Sequence, residues 1–161
     1  MPVLAVRFYD FVLTIHILAV VVAFGVVFSY PVLDAWFRRT VPGNLAGLHE
    51  LHLALAQRVV TPAMVVVLLA GLYLAFQEPW SLGDPWISAT FAILFVLFGL
   101  TGGVLTPADR RLAQLAGRDA TAGGGPSAEY ERERKRADAV GGVALLLVVV
   151  AIFLMVGKPG A

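Results

Sequence analysis

The chain has 161 residues, 59% of them hydrophobic and 14% charged, with a net charge of +1. A soluble domain carries roughly 25% charged residues, so an ordinary water-soluble enzyme is excluded. The absence of cysteine excludes a disulfide framework, an iron–sulfur cluster and a thiolate metal site. The basic residues lie mostly beside apolar runs, which gives nucleic-acid binding no support.

Four runs carry no charged residue: 11–28, 59–76, 86–105 and 140–156. Each has about 17–20 residues, enough to cross a hydrocarbon core of roughly 30 Å as a helix. The first follows Arg7 and contains His16. It leads into Ser29-Tyr30-Pro31-Val32, which offers no small-x-small cleavage site, so it reads as a retained span. The next loop holds Arg38, Arg39 and His49-Glu50-Leu51-His52, and Arg58 stands at the mouth of the second run, placed to snorkel toward headgroups. Pro62, near the start of that run, removes a backbone hydrogen bond and predicts a kink.

The short loop after the second run contains Glu78 and Asp84 and no base. Trp80 and Trp86 suit an interfacial aromatic belt, and Pro79 and Pro85 break the helices. The third run ends in Gly99-Leu100-Thr101-Gly102-Gly103, where Gly99 and Gly103 form a G-x-x-x-G pair. Such a pair lets a helix approach closely, here expected within the chain ahead of a dimer interface. In the third loop, residues 120–127 have the composition of a flexible linker. Residues 129–136 pair Glu131 with Lys135 at i,i+4 and predict a solvated helical extension into the fourth span.

Ten of the twelve bases fall in the first and third loops. Basic residues beside spans stay in the cytoplasm, so both termini are expected on the extracytoplasmic side. The expected fold is all-α, a four-helix transmembrane bundle forming a single domain over residues 1–161. Its spans cover about 8–30, 57–77, 86–106 and 139–157, with cytoplasmic loops at 34–52 and 107–138. The expected location is the inner (plasma) membrane, as a multi-pass protein in contact with the bilayer, alone, as a homo-oligomer or within a larger membrane complex.

Three histidines are the only imidazoles available. His16 sits about 8 Å below the outer boundary by helix rise, and an ionisable group inside a span is a functional-site hypothesis by default. Its helical face includes Ala19 and Ala23, small enough to admit a neighbouring helix or a flat cofactor. A neutral histidine hydrogen-bonded to another helix is the plainer reading. His49 and His52 are i,i+3, unlike the i,i+4 pair of zinc proteases. They could share a metal with Glu50 nearby, but they lie at the cytoplasmic interface, where an amphipathic segment accounts for them without a third ligand. His16 is on the order of 20 Å away by helix rise, so one metal cannot use all three.

Several segments in order carry a resemblance: Leu13-Thr14-Ile15-His16-Ile17 followed by Gly25 and Pro31, Arg58-Val59-Val60-Thr61-Pro62-Ala63-Met64 leading to Gly71-Leu72, Trp86-Ile87, and Met155-Val156-Gly157-Lys158-Pro159. Together they resemble an uncharacterised bacterial family of predicted integral membrane proteins. They are more distantly similar to HemJ-type protoporphyrinogen oxidases and CopD-type copper-resistance membrane domains. The HemJ resemblance implies haem b, with His16 at the position of the first-span iron ligand. The third-span lysine of those oxidases has no counterpart, because Trp86-Ile87-Ser88-Ala89-Thr90-Phe91 contains no base. The CopD resemblance implies copper handling, for which Met64 and Met155 are the soft ligands within the spans.

These residues admit three functions. A haem-binding or redox protein would use His16 as the axial ligand. A non-catalytic accessory or assembly subunit would use His16 only for packing. A copper- or small-solute-handling protein would need to oligomerise to enclose enough volume. The sequence alone singles out no catalytic residue.

Overall fold

A bilayer offers the backbone no water, so a crossing segment must satisfy its own N–H and C=O groups, as a helix does. The computed structural model describes residues 7–77 and 81–159. It is 89% helical and has no strand among the described residues. Among the described residues, four helical stretches are long and apolar enough to cross a membrane. Glu78, Pro79 and Trp80, and with them part of the expected aromatic belt, lie outside the described residues.

The helices overrun the apolar segments. Helix α1 spans Phe8–Thr40 and continues through Pro31, so residues 34–40 extend the first helix where a loop was expected. A 3-10 turn at Pro42–Asn44 leads into α2, Leu45–Leu55. Helix α2 passes through a π-helical turn, Ala56–Val60, into α3, Thr61–Ala75. Helix α4, Pro85–Leu100, passes through a second π-turn, Thr101–Leu105, into α5, Thr106–Thr121. The last helix, α6, spans Ala128–Gly157, and its N-terminal turns are the expected extension ahead of the fourth apolar run.

The two π-turns have a common cause. Each directly precedes a Thr-Pro pair, Thr61-Pro62 and Thr106-Pro107. Proline lacks the N–H that would bond the carbonyl four residues back, and its ring crowds that carbonyl. A wider turn relieves the clash. The Thr61 N–H accordingly bonds the Ala56 carbonyl, and the Thr106 N–H bonds the Thr101 carbonyl.

The segment expected as a flexible linker is a short turn. Residues 120 and 121 belong to α5, and Gly123 takes a left-handed conformation, φ 72°, which costs glycine little. Ser127 caps α6 by accepting from the Tyr130 N–H, and the Asp119 carboxylate accepts from the Ser127 N–H at 2.7 Å. Glu129 and Glu131 occupy the first turn of α6, where the helix dipole favours negative charge.

Helix α1 packs chiefly on α3, α4 on α6, and α2 on α5, whereas α1 and α6 barely touch. One core lies within the apolar runs, built around Ala23, Val60, Met64, Leu97 and Val148. A second lies beyond them at the arginine-bearing end, formed by Leu45 and Leu48 of α2, Leu112, Leu115 and Ala116 of α5, and Tyr130 of α6. Large apolar side chains such as Leu18, Val21, Leu146 and Phe153 point outward. A water-soluble surface would not display them in this number.

One expected packing contact is corrected. A Cβ added at Gly99 or Gly103 meets nothing within 4 Å, so this pair seats no helix of its own chain; Gly103 falls in the π-turn, which breaks the register the motif needs. Pro62 is exposed and acts on the backbone through the π-turn, not as a helix contact. The close approach is elsewhere, at Gly71, where an added Cβ would lie 3.1 Å from His16 Cε1.

Gly71→Val should therefore destabilise the protein by about 1–3 kcal/mol through overpacking. Gly99→Ala should be neutral or slightly stabilising. Thermal unfolding of both variants in one detergent checks this, and equal midpoints would contradict the Gly71–His16 contact.

Candidate metal centre

Helix α2 buries Leu45, Leu48, His49 and His52, spaced i, i+3, i+4 and i+7 along one stripe. Helix α5 buries Ala108, Leu112, Leu115, Ala116 and Asp119 on the same principle. Packing these stripes together seals both histidines, which are 4% and 5% exposed. Beyond the apolar runs, both rings are thus enclosed by protein and are not on an exposed amphipathic face. Burying an imidazole requires partners, and they come from three other segments of the chain.

Asp109, near the start of α5, is the centre of the cluster. Its Oδ1 lies 2.9 Å from His49 Nδ1 and 3.6 Å from His52 Nδ1. The outer nitrogens face oxygens as well. His49 Nε2 is 3.0 Å from the Tyr130 hydroxyl. His52 Nε2 is 3.6 Å from Asp34 Oδ1, and the Tyr30 ring stacks on His52 with centroids 4.2 Å apart. With Asp109 ionised, its carboxylate accepts from His49 Nδ1–H, and His49 Nε2 accepts from the Tyr130 hydroxyl. His52 Nε2, Asp34 Oδ1 and the Tyr30 hydroxyl are buried without a hydrogen-bond partner.

Asp34 and Asp109 both lie beyond the apolar runs, and their carboxyls are shifted in opposite directions. Burial raises Asp34 above the usual carboxylate range, with His52 acting against the shift. Burial also acts to raise Asp109, but the hydrogen bond from His49 and the adjacent His52 ring outweigh it and hold the carboxyl low.

Ligand atoms from His49, His52 and Asp109 all lie within 4.8 Å of one another. Around a tetrahedral zinc with bonds of about 2.0–2.1 Å, ligand atoms stand roughly 3.3–3.4 Å apart. Asp109 Oδ1 stands 2.9 and 3.6 Å from the two Nδ1 atoms, on either side of that spacing, so the three residues offer one cation two imidazoles and a carboxylate. Three protein ligands leave a fourth position open, the pattern of sites that act on a bound molecule. Histidine ligands characteristically donate their second N–H to a carboxylate, carbonyl or water, and Asp34 and Tyr130 occupy those outer positions here. A cavity of about 360 Å³ adjoins the cluster, with Tyr30, Asp34, His49, His52, Asp109 and Tyr130 in its wall.

His16 belongs to a separate place. It is buried together with Ala19 and Ala23, the small residues of its expected face, and its ring fills the space opened by Gly71. Tyr30, which stacks on His52, lies further along the same helix by about 21 Å of rise. The structure thus joins His49 to His52 and leaves His16 apart. It adds Asp34, Asp109, Tyr30 and Tyr130, which the local spacing of the histidines did not bring forward. The available signal was the i, i+3, i+4, i+7 stripe on α2, which makes both histidines inward-facing and in need of partners.

The fold and the cluster define a four-helix integral membrane protein with a buried histidine–carboxylate centre beyond its apolar runs. A family described as predicted integral membrane protein (DUF2269) matches residues 10–159, and the chain belongs to that family. No curated protein and no solved structure matches it.

Removing Asp109 should be the most costly single change in the cluster. Asp109→Ala leaves His49 Nδ1–H buried without an acceptor, a loss of about 1–3 kcal/mol in metal-free protein. Tyr130→Phe should cost about 1 kcal/mol, since it removes one hydrogen bond and little volume. Because the folded-state carboxyl of Asp109 is held low, its contribution is fully present above the unfolded-state value and is lost as pH falls through the folded one. Chelator-treated protein, melted across a pH series, provides the measurement; an Asp109→Ala protein as stable as wild type would contradict the network.

Proposed function

We propose that this chain is a membrane metalloprotein that holds a zinc-class divalent transition metal between His49, His52 and Asp109, on the cytoplasmic side of the plasma membrane. The observation that carries the reading is the convergence of both Nδ1 atoms on Asp109 Oδ1, with the outer nitrogens facing Tyr130 and Asp34. Imidazole and carboxylate together suit zinc and its divalent neighbours, whereas Cu(I) prefers sulfur. Met64 borders the same cavity, but it lies roughly 18 Å beyond His52 by helix rise, too far to share that cation. The cytoplasmic assignment rests on the arginine partition: Arg110, Arg111, Arg118, Arg132, Arg134 and Arg136 all follow the third span and precede the fourth.

Haem b at His16, which the HemJ resemblance implies, would require α1 and α3 to part at Gly71, along the chief contact of α1. In the metal-centre reading, His16 is a helix-packing residue. Purified protein should lack a Soret band, and His16→Gln should fold.

Metal titration of the purified protein in detergent, with mass-spectrometric metal analysis and Co²⁺ absorption as a reporter of ligand type, tests the centre. A single saturable site is expected, abolished in the His49→Ala and His52→Ala variants. Asp34→Asn and Tyr130→Phe should weaken it by about 10–100-fold, as losses of outer-shell partners do. Wild-type protein that takes up no metal, or a double histidine variant that keeps it, would sink the proposal.

A further inference from the structure

The cavity beside the cluster has a polarity gradient that runs the same way on two helices. Its α1 wall passes from Asp34 and Tyr30 to Phe24, and its α6 wall from Asp138 to Val148. Each path covers about 15 Å by helix rise. The inner end is lined by Met64 of α3 and Leu97 of α4, and such a surface offers water no hydrogen-bond partner. The cavity lies where α1 and α6 barely touch. Its α6 wall carries Gly141 and Gly142, and a Cβ added at either meets nothing within 4 Å. That side is open space beside the lipid-facing surface.

We infer that this cavity receives a single-chain amphiphile whose oxyanion head, a carboxylate or a phosphate, meets the cation at His49, His52 and Asp109 and the hydroxyl of Tyr30, while its chain lies between α1 and α6. The inference rests on the metal reading above. The Tyr30 hydroxyl borders the cavity, is buried and has no partner; an oxyanion is the acceptor it lacks. The cavity wall holds Arg38 and Arg134 with Asp34, Asp109 and Asp138, and Arg134 is already paired with Glu131 and Asp138. The positive charge available to an anionic head therefore comes from the cation and Arg38. A volume of about 360 Å³ stands at the low end of ligand pockets, roughly 300–1,000 Å³, and accommodates one chain in preference to the two of a phospholipid. The head completes the open coordination position, and the chain replaces an apolar surface that water would leave unsatisfied.

The test uses full-length protein in nanodiscs of zwitterionic lipid, loaded with Zn²⁺, with metal content read on every sample. The probes are dodecyl phosphate and dodecanoate, with inorganic phosphate as the head alone and dodecanol as the tail alone. At least one of the two amphiphiles should bind saturably and more tightly than either part. Tyr30→Phe should weaken binding about tenfold, the worth of one hydrogen bond to a charged group, with metal content unchanged. Gly142→Leu, which places a side chain in the cavity, should weaken the amphiphile and leave inorganic phosphate unaffected. Inorganic phosphate binding as tightly as the amphiphiles, metal-free protein binding them equally well, or Tyr30→Phe binding unchanged would each overturn the inference. Protein that takes up Zn²⁺ and ignores both amphiphiles overturns it while leaving the metal centre standing; protein that takes up no Zn²⁺ removes both.

Discussion

The contact between α2 and α5, outside the apolar runs, is the constraint on which the arginine-bearing end depends. Leu45 and Leu48 against Leu112, Leu115 and Ala116 supply the non-directional part of that contact. They do not by themselves fix how far one helix slides along the other. The directional part is Asp109 between His49 and His52. A shift of one residue along α5 would carry the carboxylate to another face and leave two buried imidazoles without it. Buried polar groups are costly when unmatched, so the network penalises every other register more than it rewards this one.

Proline sets the frame for that contact. Pro62 and Pro107 stand at the junctions between spanning and extramembrane helix, and each is preceded by a π-turn. A π-turn adds about one residue to the turn, which rotates the adjoining helix by roughly 100° relative to an unbroken α-helix. The azimuths of α2 and α5 are thereby freed from those of α3 and α4. The spans can then answer to lipid and to each other, while the extensions answer to their own small core. Tyr130 reaches His49 because Asp119 and Ser127 pin the α5–α6 corner.

Features were legible in the sequence where the constraint behind them is local. The bilayer demands about twenty apolar residues in a row, so the four spans stand out residue by residue. The extension of α6 was readable from Glu131 and Lys135, because i,i+4 pairing is local too. Helix α5 was not, since Ala108, Leu112, Leu115 and Ala116 are interleaved with Arg110, Arg111 and Arg118, and its apolar stripe has meaning only beside α2. The third ligand was hidden for the same reason: Asp109 is sixty residues from His49. Gly99 and Gly103 misled in the opposite sense, since their spacing is local but the helix they would seat lies elsewhere.

The histidines show how one residue type divides by surroundings. His16 faces a glycine and apolar neighbours, so its ring is held by packing. His49 and His52 face oxygen on both sides, and this arrangement contains a conflict. If both Nδ1–H groups are directed at Asp109, His52 Nε2 turns a lone pair toward the Asp34 carboxyl 3.6 Å away. That proximity needs a proton on one partner or the other, and burial holds the Asp34 carboxyl above the usual carboxylate range. A cation at the two Nδ1 atoms resolves the conflict differently. It would take both inner lone pairs and leave the ring protons on Nε2, with the His52 N–H facing Asp34 and the His49 N–H facing the Tyr130 oxygen. Asp109 would then neutralise the cation instead of accepting from the rings. The same side chains, with protons redistributed, would satisfy the cluster more fully around a divalent cation than without one.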